Sequence, residues 1–191
     1  MKQIRLSLVL ALLTLTCYSV NNPNTISKNE SASDGGSLLG GTKTYTLELA
    51  EAMPADSYTL RPTDSVRSFG EQLAHIALST QFLVDVLIND KPMPTPEEFG
   101  AAAKMEKEIG ADKAKCIAML KESMDALDAK FASMTEKDMT ATFKVPFDPN
   151  SPEFPKSKAF DFILDHITHH RAQALVSLRM KGIPAPAYRL Y

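Results

Sequence analysis

Apolar residues recurring in steps of three and four constrain this chain more than any other feature. Phe69, Leu73, Ile76, Thr80, Leu83 and Leu87 fall one helical turn apart, as do Ile117, Leu120, Met124, Leu127, Phe131 and Met134. A helix turns every 3.6 residues, so each series forms a stripe that must be buried against another element. Phe160, Ile163, Leu164, Ile167, Ala174 and Leu175 make a third stripe between residues 157 and 181. Tyr45, Leu49 and Met53 keep the same period in a first helix whose start Gly40-Gly41 weakens.

The ends of these segments carry matching signals. Ser68-Phe69-Gly70-Glu71 is a capping box, and Asn89-Asp90-Lys91-Pro92 closes the helix that follows. Asp112 caps the next helix, and Gly182 ends the last one, with Pro184 and Pro186 beyond it. Residues 91–111 are expected to be a proline-punctuated connection holding one short helix from Thr95-Pro96. Residues 140–156 hold four prolines and, at most, a short extended piece at Thr142-Phe143-Lys144-Val145. Four long helices without a convincing sheet predict an all-α four-helix bundle. Long connections after the second and third helices make it other than a simple up-down-up-down bundle.

The N-terminus has a different character. Lys2 and Arg5 precede an apolar run from Leu6 to Leu15, too short to span a membrane and patterned as an export signal over residues 1–17. Cys17 closes the run, and the segment resembles a bacterial lipoprotein signal whose cysteine becomes a membrane tether. Residues 18–36, rich in Asn, Ser and Asp, suit a flexible spacer before a domain over residues 37–191. These features predict an exported protein, periplasmic or anchored as a lipoprotein.

Removing Lys2 and Arg5 takes the 21 basic residues to 19 against 23 acidic ones, a formal charge of −4. Such a balance does not point to nucleic acid. Cys116 is the one cysteine of the folded part, so a thiolate zinc cluster is excluded and a transition-metal site must use histidine, carboxylate and water.

Three of four histidines lie in His166-Ile167-Thr168-His169-His170, and the fourth, His75, lies on an earlier helix. At about 100° per residue, His170 falls near 40° from His166, Gln173 near −20° and His169 near −60°, while the apolar arc runs from roughly 60° to 180°. His166 and His170 therefore border the buried face, and His169 turns away. His75 has a comparable place beside Ile76, so packing the two arcs groups His75, His166 and His170 at one seam. Three neutral imidazoles suit zinc or nickel and leave a coordination position open for water or a substrate atom. There is no glutamate directly after His166, so the His-Glu-x-x-His motif and its general base are missing. Spacing alone also fits surface or hydrogen-bonded, pH-responsive histidines.

Gln173 is a candidate to orient a ligand or contact substrate, or simply an amide serving helix contacts. Glu71 is assigned to the capping box rather than to His75. Arg171 is expected to pair with a carboxylate between helices, and Tyr58 and Arg61 to serve structure.

The run from His166 through His170-Arg171-Ala172-Gln173, followed by Leu178-Arg179-Met180-Lys181-Gly182-Ile183-Pro184-Ala185-Pro186, resembles the C-terminal signature of the DinB/YfiT-like superfamily. Ala52-Met53-Pro54-Ala55-Asp56-Ser57-Tyr58, Arg61-Pro62 and Arg67 to His75 are similar to its N-terminal half. The resemblance spans residues 38–191 and implies a four-helix bundle with a divalent metal on His75, His166 and His170. It also implies a homodimer, and thiol-cofactor chemistry of the bacillithiol, mycothiol or glutathione kind. Ala172 stands where glycine is common. The export signal sets the chain against a cytosolic thiol cofactor. Two functions follow as expectations: a metal-dependent transferase or hydrolase activating water or a thiol of an unknown small-molecule substrate, or a non-catalytic exported module binding a metal or small ligand.

Overall fold

The computed structural model describes residues 37–189, so the expected leader, Cys17 and the spacer over residues 18–36 lie outside the described residues. Helix α1 spans Leu38–Ala52, with the Ser37 hydroxyl accepting from the Gly40 amide at its start. Helix α2 spans Phe69–Leu83 and opens with the expected capping box. It passes into one π-helical stretch, Val84–Ile88, before Asp90 reverses the chain at φ 57°. Helix α3 spans Pro96–Gly110, α4 Lys113–Ser133, α5 Glu136–Thr140 and α6 Ser157–Met180. The proline-rich stretch before α6 contributes two short strands, β1 Thr142–Phe143 and β2 Phe154–Pro155, paired antiparallel.

Helices α1, α2, α4 and α6 form the four-helix bundle. Both α1 and α2 pack against α4 and α6. The sequence neighbours α1 and α2 are thus diagonal partners, as are α4 and α6, and the connections between them run across the bundle. The core follows the stripes. Leu49, Met53, Phe69, Leu73, Ile76, Leu120, Met124, Ile163 and Ile167 are fully buried. Among the described residues, no helix is long and apolar enough to cross a membrane.

Polar groups fasten the connections. Tyr58 is fully buried, and its hydroxyl donates to the Ala50 carbonyl at 2.7 Å. Arg61 donates to both Glu71 oxygens at 2.8 Å, while Glu71 caps α2 by accepting the Ser68 amide. Lys113 Nζ donates to the Glu51 and Met53 carbonyls, satisfying orphan acceptors at the end of α1.

Helix α3 departs from expectation. It has fifteen residues where one short helix within a connection was expected. Its two buried residues are Glu106 and Gly110, so it lacks a buried apolar stripe. What sustains it is local: a Thr95/Glu98 capping box, Pro96 in the first turn and the strong helix formers Ala101-Ala102-Ala103.

The end of α3 crosses the beginning of α2 at backbone contact. A Cβ on Gly70 would lie 1.8 Å from the Gly110 carbonyl oxygen, and one on Gly110 would lie 2.6 Å from the Glu71 amide nitrogen. Backbone cannot step aside as a side-chain tip can, so both positions require glycine. Gly100, in the exposed middle of α3, would meet nothing within 4 Å. Gly70→Ala and Gly110→Ala should each cost about 1–3 kcal/mol through overpacking. Gly100→Ala should gain roughly 0.5–1 kcal/mol from helix propensity. Urea unfolding midpoints separate these outcomes, and a gain at Gly70 or Gly110 would contradict the tight crossing.

Candidate metal centre

The α2–α6 seam brings the three grouped histidines together. His75 comes from the middle of α2, and His166 and His170 from one face of α6. Their ring centroids are separated by 5.2 Å (His75–His166), 4.3 Å (His75–His170) and 4.5 Å (His166–His170). One nitrogen from each ring falls in a group within 4.8 Å. His170 is buried, and His75 and His166 are half-buried, so the cluster sits at the edge of the core.

Each ring is held through Nδ1. Glu106 Oε2 lies 2.8 Å from His75 Nδ1. A carboxylate can only accept, so this nitrogen carries the proton. Gln72 Oε1 lies 2.8 Å from His170 Nδ1, while Gln72 Nε2 donates to Gln173 Oε1 at 2.7 Å. The amide oxygen faces the imidazole, which must again donate. Ser79 Oγ gives its single proton to the His75 carbonyl at 2.5 Å, leaving a lone pair for His166 Nδ1 at 3.3 Å. By this hydrogen-bond assignment all three Nδ1 atoms are donors, and all three Nε2 atoms carry free lone pairs.

That donor set fits a borderline divalent ion. Metal-bound histidines characteristically donate their second ring nitrogen to a carboxylate, carbonyl or similar acceptor. Imidazole nitrogens around a tetrahedral ion at about 2.0–2.1 Å lie roughly 3.3 Å apart, so modest side-chain rotations close the cluster onto an ion.

The electrostatics favour neutral rings at His166 and His170. Burial first, then the charges of His75, His169 and Arg67, lowers His166 to about 4. Burial first, then His75, His166, His169 and Arg67, lowers His170 to about 3. Glu106 is held below the ordinary carboxylate range. Burial alone would raise it, but hydrogen bonds from His75 and from Arg67, whose Nε lies 2.5 Å from Oε1, prevail. Cys116 takes no part. Burial pushes its thiol up to about 12, and Sγ donates to the Gly70 carbonyl.

The remaining site expectations divide. His169 is exposed and outside the group of three, hydrogen-bonded instead to Gln173. Gln173 is half-buried and links Gln72 to His169. It reaches the cluster indirectly, through the Gln72 amide that holds His170. Arg171 differs from expectation. It finds no carboxylate among the described residues, but donates to the Thr42 carbonyl, Thr46 and Thr168 and lies over the Tyr45 ring at 4.8 Å. In its buried setting, neutral acceptors and an aromatic face replace the expected ion pair. Glu71, Tyr58 and Arg61 are structural, as the preceding contacts show.

Sequence reasoning missed Glu106, and the anchoring roles of Gln72 and Ser79. Gln72 and Ser79 lie one turn on either side of His75, a spacing that places them on its face. Glu106 lies on a helix without a buried apolar stripe, and a carboxylate itself gives no sign of facing inward.

Comparison with known proteins bears on the same residues. A family model described as the DinB superfamily matches residues 39–174, which contain all three histidines. A solved DinB-like protein from Bacillus subtilis is 19% identical, with a TM-score of 0.49, over 80% of this chain and 95% of that one. A second, from Bacillus cereus, is 19% identical, with a TM-score of 0.46, over 76% of this chain and 89% of that one. A search of curated proteins finds no match.

The lowered imidazoles give a signed pH dependence. Both groups start from 6.5 and fall to about 4 and about 3 in the fold, so the unfolded chain binds protons first as pH drops. The metal-free protein should therefore lose stability progressively as pH falls from 6.5 towards 3, with no loss from these rings above 6.5. Ring carbon shifts of His166 and His170 in the metal-free protein should stay flat down to about pH 5. A midpoint near 6.5 in either ring would contradict their burial as neutral bases.

Proposed function

The chain belongs to the DinB superfamily, and on that premise we propose that it is a metal-dependent enzyme working at His75, His166 and His170. The observation that carries the reading is the grouping of three rings within 4.8 Å, each with a hydrogen-bond partner at Nδ1 that leaves Nε2 free to bind. The chemistry of three imidazole donors favours zinc or nickel. An ion bound there would acidify a coordinated water or thiol, with its remaining position open to substrate. Glu106, Gln72 and Ser79 keep the rings oriented and their protons on the side away from the ligand. The substrate is a small molecule that reaches the exposed edge of the seam, where it would be attacked by a deprotonated water in hydrolysis or by a deprotonated thiol in transfer.

A second reading, a non-catalytic module that binds a metal or small ligand, is favoured by one contact pattern. Glu106, the carboxylate hydrogen-bonded to the cluster among the described residues, has both oxygens engaged, one by His75 and one by Arg67. It is therefore not a free proton acceptor. Chemistry at this site would rely on a ligand that ionises on the metal, as a thiol does, more than on a protein base.

We further propose that the chain is exported and tethered through Cys17, and that it works as a homodimer. Membrane fractionation of wild type against Cys17→Ser tests the tether, and light scattering tests the dimer.

Purified protein should carry about one zinc or nickel ion per chain, bound through three protein ligands. His75→Ala and His170→Ala should each abolish stoichiometric metal by elemental analysis, while His169→Ala retains it. Full metal in either of the first two variants would overturn the site. Metal-loaded protein should then consume a thiol in a transfer assay, and inertness with full metal content would favour the binding module or another substrate.

A further inference from the structure

Helix α3 is fastened to the rest of the protein in an unusual way. Its exposed surface is nearly continuous, including Phe99 and Met105 at 45% each. Its buried residues are one carboxylate and one glycine. A buried carboxylate is costly unless its oxygens find donors, so Glu106 would not be selected as an ordinary packing residue. Both oxygens do find donors: Arg67 just before α2, and His75 within it. The Gly70–Gly110 crossing explains how they meet. Gly110 lies one turn after Glu106, and its close approach to Gly70 brings Glu106 over the following turns of α2, where His75 lies.

Resting on the metal reading above, we propose that Glu106 is the positioning residue of the site: it fixes the ring of His75 through Nδ1–H and thereby couples the docking of α3 to ion binding. The physical basis is reciprocal. An ion on Nε2 withdraws electron density from the imidazole and makes Nδ1–H a stronger donor, tightening its bond to the carboxylate. The carboxylate in turn makes Nε2 a better base and holds the ring in one orientation. Any free energy by which metal strengthens α3 docking must reappear as free energy by which docked α3 strengthens metal binding. The other two rings receive neutral partners, Gln72 and Ser79, from α2 itself. Glu106 alone brings a charge, and brings it from a separate helix.

A merely structural role makes a different statement. If Glu106 only joined α3 to Arg67, removing it would weaken the metal-free and metal-loaded proteins equally, and affinity would not change. Zinc affinity is therefore measured by competition with a chromogenic chelator in wild type, Glu106→Gln and Glu106→Ala, with Glu108→Gln, on the exposed face of α3, as control. The glutamine variant keeps the size of the side chain should the alanine variant loosen the helix. Both Glu106 variants should bind zinc about 10–100-fold more weakly, the usual consequence of losing a partner to a metal-bound histidine. Glu108→Gln should bind as wild type does.

Hydrogen exchange supplies the reciprocal readout. Zinc should slow amide exchange across α3 in wild type and leave it unchanged in Glu106→Gln. Wild-type zinc binding with both Glu106 variants within about twofold of it would overturn the positioning role while leaving the metal site intact. So would exchange in α3 that ignores zinc. Failure of wild type itself to bind zinc or nickel would bring down the metal reading, and this one with it.

Discussion

The protons on three Nδ1 atoms decide what this bundle can do. An imidazole can turn either nitrogen towards a neighbour, and three unrestrained rings at a helix seam would sample many arrangements. Here each ring has an acceptor behind it: the Glu106 carboxylate, the Gln72 amide oxygen and the Ser79 hydroxyl oxygen. Because those atoms accept, the opposite nitrogen of every ring is left basic. Burial reinforces the choice by depressing His166 and His170 well below their ordinary values. Three clustered imidazoles with Nε2 free are a ligand set, whereas protonated rings would repel one another.

The scaffold serves that arrangement at two levels. The apolar stripes of α2 and α6 set the seam, and register along the seam places His75 opposite the His166–His170 turn. A glycine pair then lets α3 lie against α2 closely enough for its one buried carboxylate to reach the cluster. Glu71 shows how local demands separate residues of the same type. It lies one turn before His75, yet it is engaged by the Ser68 amide and by Arg61. The carboxylate that serves His75 comes from thirty-one residues downstream.

Much of this was legible in the sequence, for identifiable reasons. Stripes with a 3.6-residue period located α2, α4 and α6, because burying one face of a long helix leaves a repeating mark. Caps at Ser68 and Asp112 located helix starts, because unsatisfied amides demand particular side chains. The helical wheel grouped His75 with His166 and His170 and set His169 aside, since angular position on a helix follows from spacing alone. What stayed hidden depends on contacts between distant segments. Helix α3 has no fully buried apolar side chain, so no core stripe announced its length or the inward face of Glu106. Arg171 lies in a buried arc, which suggested a carboxylate partner, but its neighbours on α1 turned out to be threonines, a carbonyl and the Tyr45 ring. The strand pair β1–β2 is two residues long on each side, too short to leave an alternating pattern.

X-ray absorption at the metal edge of the nickel- or zinc-loaded protein tests the central claim most directly, because it reports ligand type and number together. The account predicts about three imidazole nitrogens near 2.0–2.1 Å, with their characteristic multiple scattering, and one or more exchangeable oxygen ligands completing the shell. In thiol-free buffer, a first shell of oxygen alone, a sulfur scatterer, or a closed four-nitrogen shell without an exchangeable position would contradict it.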